Sequence, residues 1–174
     1  MAVAPDGSES TLKGSEFSKA KHGIVLNTPF SPTYTGGGTL ALIDGINGSF
    51  DFGDGKWQGY EGIDLDAVVD LGVQMPVTKI STGFLQNVAS WIFFPKTVEY
   101  SVSSNGKDFQ TVSVLKNDIP DKTEEARLKS FSAELNTVTA RYIKVHAKSI
   151  EVCPDWHPGK GGKAWIFADE IEAK

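Results

Sequence analysis

One cysteine among 174 residues, Cys153, leaves no partner for an internal disulfide and excludes a zinc site built on cysteine spacing. Basic charge is also short. Lys and Arg total 17 against 22 Asp and Glu, a formal net charge of -5. Nucleic acid and anionic membrane both select basic surfaces, so both are disfavoured partners. No apolar run reaches membrane-spanning length. The three histidines, His22, His146 and His157, lack metal-ligand spacing. Residues 1–18 are polar and carry no export signal, which is expected on a longer parent chain. Glycine is what the chain has in quantity: 18 Gly with 8 Pro, and 40% hydrophobic residues, the composition of a globular, turn-rich strand protein.

Residues 1–21 are rich in Ser, Lys, Glu and Gly and read as a linker or loosely held first segment, leaving 22–174 as one folded domain. From there, period-two alternation recurs between turn signals. Over 63–71, Leu65, Ala67, Val69 and Leu71 share one face, and Asp64, Asp66 and Asp70 the other. Further strands are expected at 77–85, at 97–103, and at 109–115 after the hairpin signal Asn105-Gly106. The segments 125–134 and 141–147 read as a strand pair, and 164–171 closes the domain. Short strands without helical periodicity imply an all-β sandwich.

Two segments near opposite ends are rich in oxygen: Ala41-Leu42-Ile43-Asp44-Gly45-Ile46-Asn47-Gly48-Ser49 and Phe167-Ala168-Asp169-Glu170-Ile171. The first can curl carbonyls, a carboxylate and a hydroxyl inward, and hard cations such as Ca²⁺ take all-oxygen sites. Asp44-Gly45 and Asn47-Gly48 also read simply as tight turns. Aromatic residues fall into three groups: Trp57 with Tyr60, Trp91 with Phe93 and Phe94, and Trp156 beside His157. Flat rings suit the apolar faces of sugars, yet a sandwich also buries aromatics as core. Polar or Pro-Gly surroundings favour Trp91 and Trp156 as ligand contacts, whereas Trp165 beside Ile166 and Phe167 reads as packing.

These segments, with Tyr34-Thr35-Gly36-Gly37-Gly38, Trp57-Gln58-Gly59-Tyr60, Ser90-Trp91-Ile92-Phe93-Phe94-Pro95 and Gly162-Lys163-Ala164-Trp165-Ile166-Phe167, resemble the discoidin module. That module is also called coagulation factor 5/8 type C or carbohydrate-binding module family 32. The version resembled is the one joined to bacterial chitobiases and β-hexosaminidases, and the resemblance runs from about 23 to 171. It implies a galactose-binding-domain-like jelly-roll β-sandwich. It also implies a structural Ca²⁺ held by Asp44, Ser49 and Glu170, with carbonyls from Ala41, Ile46 and Asp169. The ligand would lie in loops at one end of the sandwich, with Trp91, Trp156, His157, Phe93, Trp57, Tyr60 and Lys163 as candidates.

The expected function is non-catalytic: a carbohydrate-binding module of a secreted bacterial glycoside hydrolase. Its partners would be galactose, N-acetylgalactosamine or N-acetylglucosamine glycans and the parent's catalytic domain. The location would be extracellular, periplasmic or on the cell surface. The alternative is a structural module that packs on the catalytic domain and binds no glycan; burial of all four Trp would favour it. A membrane spike at Trp91-Ile92-Phe93-Phe94 is a third reading, opposed by the net charge. A glycosidase pair is not evident: Asp169 and Glu170 are adjacent and should face opposite sides of a strand. Lys160 and Lys163 in Gly159-Lys160-Gly161-Gly162-Lys163 superficially suggest a phosphate loop, but the required pattern and following helix are missing.

Overall fold

The computed structural model describes residues 22–174; the expected linker at 1–21 lies outside the described residues. These residues form seven strands in chain order: β1 (Gly23–Leu26), β2 (Gln58–Glu61), β3 (Leu65–Gln86), β4 (Thr97–Ser103), β5 (Gln110–Lys116), β6 (Arg127–Lys148) and β7 (Trp165–Ala173). Among the described residues, helix is confined to two 3-10 turns, Ala41–Ile43 and Val88–Ser90.

Strands β3 and β6 organise the sandwich. Each is 22 residues long, and they pair antiparallel from Leu65↔Ala147 to Gln86↔Arg127. Register shifts between Asp70 and Met75 and between Val77 and Lys79 interrupt this ladder. Irregularities of this kind bend a strand, so each long strand contributes its two halves to two layers. One layer holds β1, the first half of β3, the second half of β6, β4 and β5; the other holds β2, β7 and the remaining halves. Strands expected separately at 63–71 and 77–85 are therefore one bent strand. The segments 125–134 and 141–147 do not pair with each other; they are successive parts of β6.

The alternation has the expected consequence. Leu65, Ala67, Val69 and Leu71 are buried and join Val98, Tyr100, Ile143, Val145, Ile80, Phe84, Phe131 and Ile166 in one core. The Tyr100 hydroxyl crosses it to donate to the Phe131 carbonyl at 2.6 Å, which satisfies a fully buried polar group. On the outer face the three aspartates are matched by β6: Asp64 by His146 and Lys148, Asp66 by Lys144, and Asp70 by Arg141. The three aspartates that alternation sets on one face thus form the acidic side of a cross-strand ladder of ion pairs.

Register also sets the loops. Gln86 pairs with Arg127, while Thr97 pairs with both Lys116 and Lys148. The connections 87–96, 117–126 and 149–164 thereby leave one end of the sandwich together.

Candidate functional site

At that end Trp91 and Trp156 line one groove of about 500 Å³, with Val88, Ala89, His157 and Pro158 and with Lys122, Thr123 and Glu124 from the opposite connection. Both tryptophans are partly open, at 38% and 42% exposure. Each is held from below. Trp91 closes the 3-10 turn in a left-handed conformation (φ 66°), a costly one for a large side chain. Its ring lies on the backbone of Gly159 and Gly162; a Cβ at Gly162 would stand 2.6 Å from it. Trp156 meets Phe93 edge-on at 6.3 Å and His157 at 5.7 Å, and Lys122 places its ammonium 5.8 Å from the Trp156 ring centre.

His157 is the post between the two rings. Its Nδ1 accepts from the Gly159 N–H at 2.9 Å, which leaves Nε2–H to donate to the Val88 carbonyl at 2.8 Å. The imidazole thus joins loop 149–164 to the turn carrying Trp91, with no ring nitrogen free for a ligand. Gln86, fully buried, anchors the third loop through Nε2, which donates to the Pro120 carbonyl and to Thr123 Oγ1, each at 3.1 Å.

Three residues expected at a sugar site are core instead. Trp57 and Phe93 are 1% exposed and Tyr60 is 0%. The Trp57 ring lies beneath Gly48 and donates to the Ser49 carbonyl at 3.0 Å; the Tyr60 hydroxyl donates to Gln58 at 2.6 Å. Burial forbids any of them to stack on a ligand. Ile92 and Phe94 are buried as well, so the segment that could have formed a membrane spike presents only Trp91. Lys163 is exposed, packs its stem on Gly62, and does not line the groove. Trp165 packs between Tyr34 and Phe167, as expected. Lys122, Thr123 and Glu124 escaped sequence reasoning. Their loop contains no aromatic, and only the register of β5 on β4 and of β6 on β3 brings it to the groove.

Away from the groove, the oxygen-rich segments do meet. Thr82 pairs with Ile171 and Phe84 with Ala168, so Gly83 alone faces both Asp169 and Glu170 in a β-bulge. A Cβ on Gly83 would collide with the Asp169 carboxylate. The bulge breaks the alternation that should have sent these side chains to opposite faces. Both reach the same loop: Glu170 Oε2 accepts from the Gly45 N–H at 2.9 Å, and Asp169 Oδ2 from the Gly48 N–H at 3.0 Å. Asp44 accepts from the Ile46 N–H at 2.8 Å, while the Ser49 hydroxyl donates to Asp54 at 2.7 Å. Burial, reinforced by the charges of Asp44, Asp169 and Glu172, pushes the Glu170 carboxyl up to about 7; burial also raises Asp169. Among the described residues no Lys or Arg forms an ion pair with Asp44, Asp54, Asp169 or Glu170.

Comparison with known proteins agrees with this architecture. The F5/8 type C domain family model matches residues 27–168, and the chain belongs to that family. Among solved structures it is similar to CpGH89CBM32-5 from Clostridium perfringens, in complex with GalNAc-β-1,3-galactose. There the identity is 18% and the TM-score 0.56, with 88% of this chain and 94% of that one covered. It is also similar to the family 32 carbohydrate-binding module of C. perfringens NanJ in complex with galactose, at 16% identity, TM-score 0.54 and coverage of 88% and 93%. The C-terminal domain of a chitobiase from Bacteroides fragilis aligns at 16% identity with TM-score 0.47, covering 90% and 95%. No curated protein matches the chain in sequence. The fold is thus the discoidin-type jelly-roll sandwich expected from the sequence.

Proposed function

We propose that the chain is a non-catalytic carbohydrate-binding module whose glycan lies in the groove between Trp91 and Trp156. The observation that carries this is the selective exposure of those two tryptophans. Trp57 is buried and Trp165 packed, while Trp91 and Trp156 stand half-open in one groove with an ammonium, a hydroxyl and a carboxylate beside them. Rings offer flat apolar faces to sugar C–H patches, and the polar groups bond hydroxyls. Galactose, N-acetylgalactosamine and N-acetylglucosamine are the first candidate sugars. The similar C. perfringens modules were solved with GalNAc-β-1,3-galactose and with galactose.

On this reading the module belongs to an exported glycoside hydrolase of chitobiase or β-hexosaminidase type and raises the effective concentration of glycan at the linked catalytic domain. Among the described residues no helix is long and apolar enough to cross a membrane. The cluster at Asp44, Ser49 and Glu170 fits a structural Ca²⁺: its donors are all oxygen, and among the described residues its carboxylates form no ion pair with Lys or Arg. No three His, Cys, Asp or Glu side chains among the described residues form a metal cage by themselves. The family resemblance assigns the rest of the shell to the carbonyls of Ala41, Ile46 and Asp169, with the Ser49 hydroxyl released from Asp54.

The test is a glycan array of the intact chain with Ca²⁺ present, repeated on Trp91→Ala and Trp156→Ala. Binding to galactose- or hexosamine-terminated glycans, weakened about tenfold or more by either substitution, is the expected result. A folded protein that retains no glycan would instead be a docking module for its catalytic neighbour.

A further inference from the structure

We propose that the glycan site continues beyond Trp156 into a second, charged groove, so that the ligand is a neutral oligosaccharide engaged through at least two consecutive units. This rests on the reading of the Trp91–Trp156 groove as a sugar site. The second groove, about 370 Å³, is lined by Pro120, Lys122, Thr123, Glu124, Glu125 and Arg127. Lys122, Thr123 and Glu124 line both grooves, so the two adjoin across one shared wall. Each alone falls within the roughly 300–1,000 Å³ typical of small-ligand sites.

The chemistry of the two halves differs. The first offers rings; the second has no aromatic lining residue and four charged ones. Among the described residues, Lys122, Glu124, Glu125 and Arg127 form no ion pair with one another or with other side chains. Two cationic donors and two anionic acceptors therefore stand without an ion-pair partner, Lys122 alone having a second contact in the Trp156 ring. Sugar hydroxyls are donors and acceptors at once and can bond to both kinds with charge assistance. Because the charges balance, the groove favours neither an anionic nor a cationic sugar. One unit stacks in the first groove, and its neighbour binds through hydroxyls in the second. The wall between them is preorganised: the two hydrogen bonds from buried Gln86 fix Pro120 and Thr123 before any ligand arrives, which limits the ordering cost of binding.

Isothermal titration of the intact chain tests this with two pairs of probes: N-acetylgalactosamine against GalNAc-β-1,3-galactose, and N-acetylglucosamine against N,N′-diacetylchitobiose. At least one disaccharide is expected to bind about tenfold more tightly than its monosaccharide, or about 1.4 kcal/mol. Arg127→Ala and Glu125→Gln, which line only the second groove, should remove that gain and leave monosaccharide affinity and melting temperature unchanged. Equal affinity for mono- and disaccharides, or a gain that survives both substitutions, overturns the second subsite while the first stands. Preference for a uronic-acid or glucosamine oligomer with strong salt dependence overturns the neutral ligand. No binding by any probe removes the sugar site and its extension together.

Discussion

Trp57 is held by the absence of an atom. Its ring occupies the space a side chain at residue 48 would need, so Gly48→Ala must displace either the indole or the 44–49 loop. Overpacking of this kind costs about 1–3 kcal/mol, expected as a lower urea midpoint at unchanged m-value; a loss below about 0.5 kcal/mol would show that the ring has room. Trp57 also shows why ligand residues were hard to pick from sequence. It stands in a Gly-rich stretch that reads as an open loop, as does Tyr60, yet both are core. Chain position gave no sign of which loops lie under others. Glu170 offers a second test at this scale. Its carboxyl is pushed from an ordinary 4.5 to about 7, so between those values the folded state keeps a proton that the unfolded chain has released. Stability of the metal-free protein is therefore greatest at the acid end of that window and falls as pH rises toward 7, by an amount on the order of 3 kcal/mol. Asp54 and Asp70, whose carboxyls are held below the usual range, act at lower pH and leave this window to the buried pair. Denaturant titrations in chelator across the window should show the fall, and Glu170→Gln should flatten it.

The turn carrying Trp91 is the element on which the sugar reading depends. Its left-handed backbone costs a non-glycine residue about 1–2 kcal/mol, a cost Gly would not bear. Trp91→Gly should therefore be more stable than Trp91→Ala by about 1 kcal/mol, while both lose glycan binding to the same degree. Equal stability would mean that the turn relaxes, and retained binding in either variant would take Trp91 out of the site. The long strands mark how far sequence patterning reaches at this scale. Every buried position on the face shared by Leu65, Ala67, Val69 and Leu71 was legible from period-two alternation, as was β4. What alternation could not show is continuity. The pattern ends one strand at 71 and starts the next at 77, whereas a single strand passes through with shifted register. The bulge opposite Gly83 was hidden for the same reason: one extra residue in β7 leaves no compositional trace, yet it turns Asp169 and Glu170 toward one loop. The Lys122–Glu124 wall was equally invisible, since a short polar connection looks the same whether or not it faces a groove.

At the scale of the molecule, the loop after the first 3-10 turn and the closing strand are joined by bonds that span most of the chain. Gly45 to Glu170 and Gly48 to Asp169 link residues 125 and 121 positions apart. Such long-range closure limits separation of the N-terminal loops from the closing strand, but it places carboxylates where burial and mutual repulsion oppose their charge. A Ca²⁺ at this point would reverse that penalty: the ion favours the ionised form, neutralises Asp44 and Glu170 together, and binds only the folded chain because its donors are distant in sequence. Saturating Ca²⁺, at about a hundredfold above its dissociation constant, should stabilise the domain by about 2.7 kcal/mol, or roughly 5–10 °C in melting temperature for a domain of this size. The gain should be larger at pH 8 than at pH 5.5, because protons compete for Glu170 as its pKa is approached from above. Chelator should reverse it, and Asp44→Asn or Glu170→Gln should abolish the response while Trp91→Ala retains it. Mg²⁺, smaller and more reluctant to shed water, should substitute poorly. A melting temperature indifferent to Ca²⁺ and chelator across this pH range would assign the carboxylates to the Gly45 and Gly48 hydrogen bonds alone, and the loop would be closed by the protein without an ion.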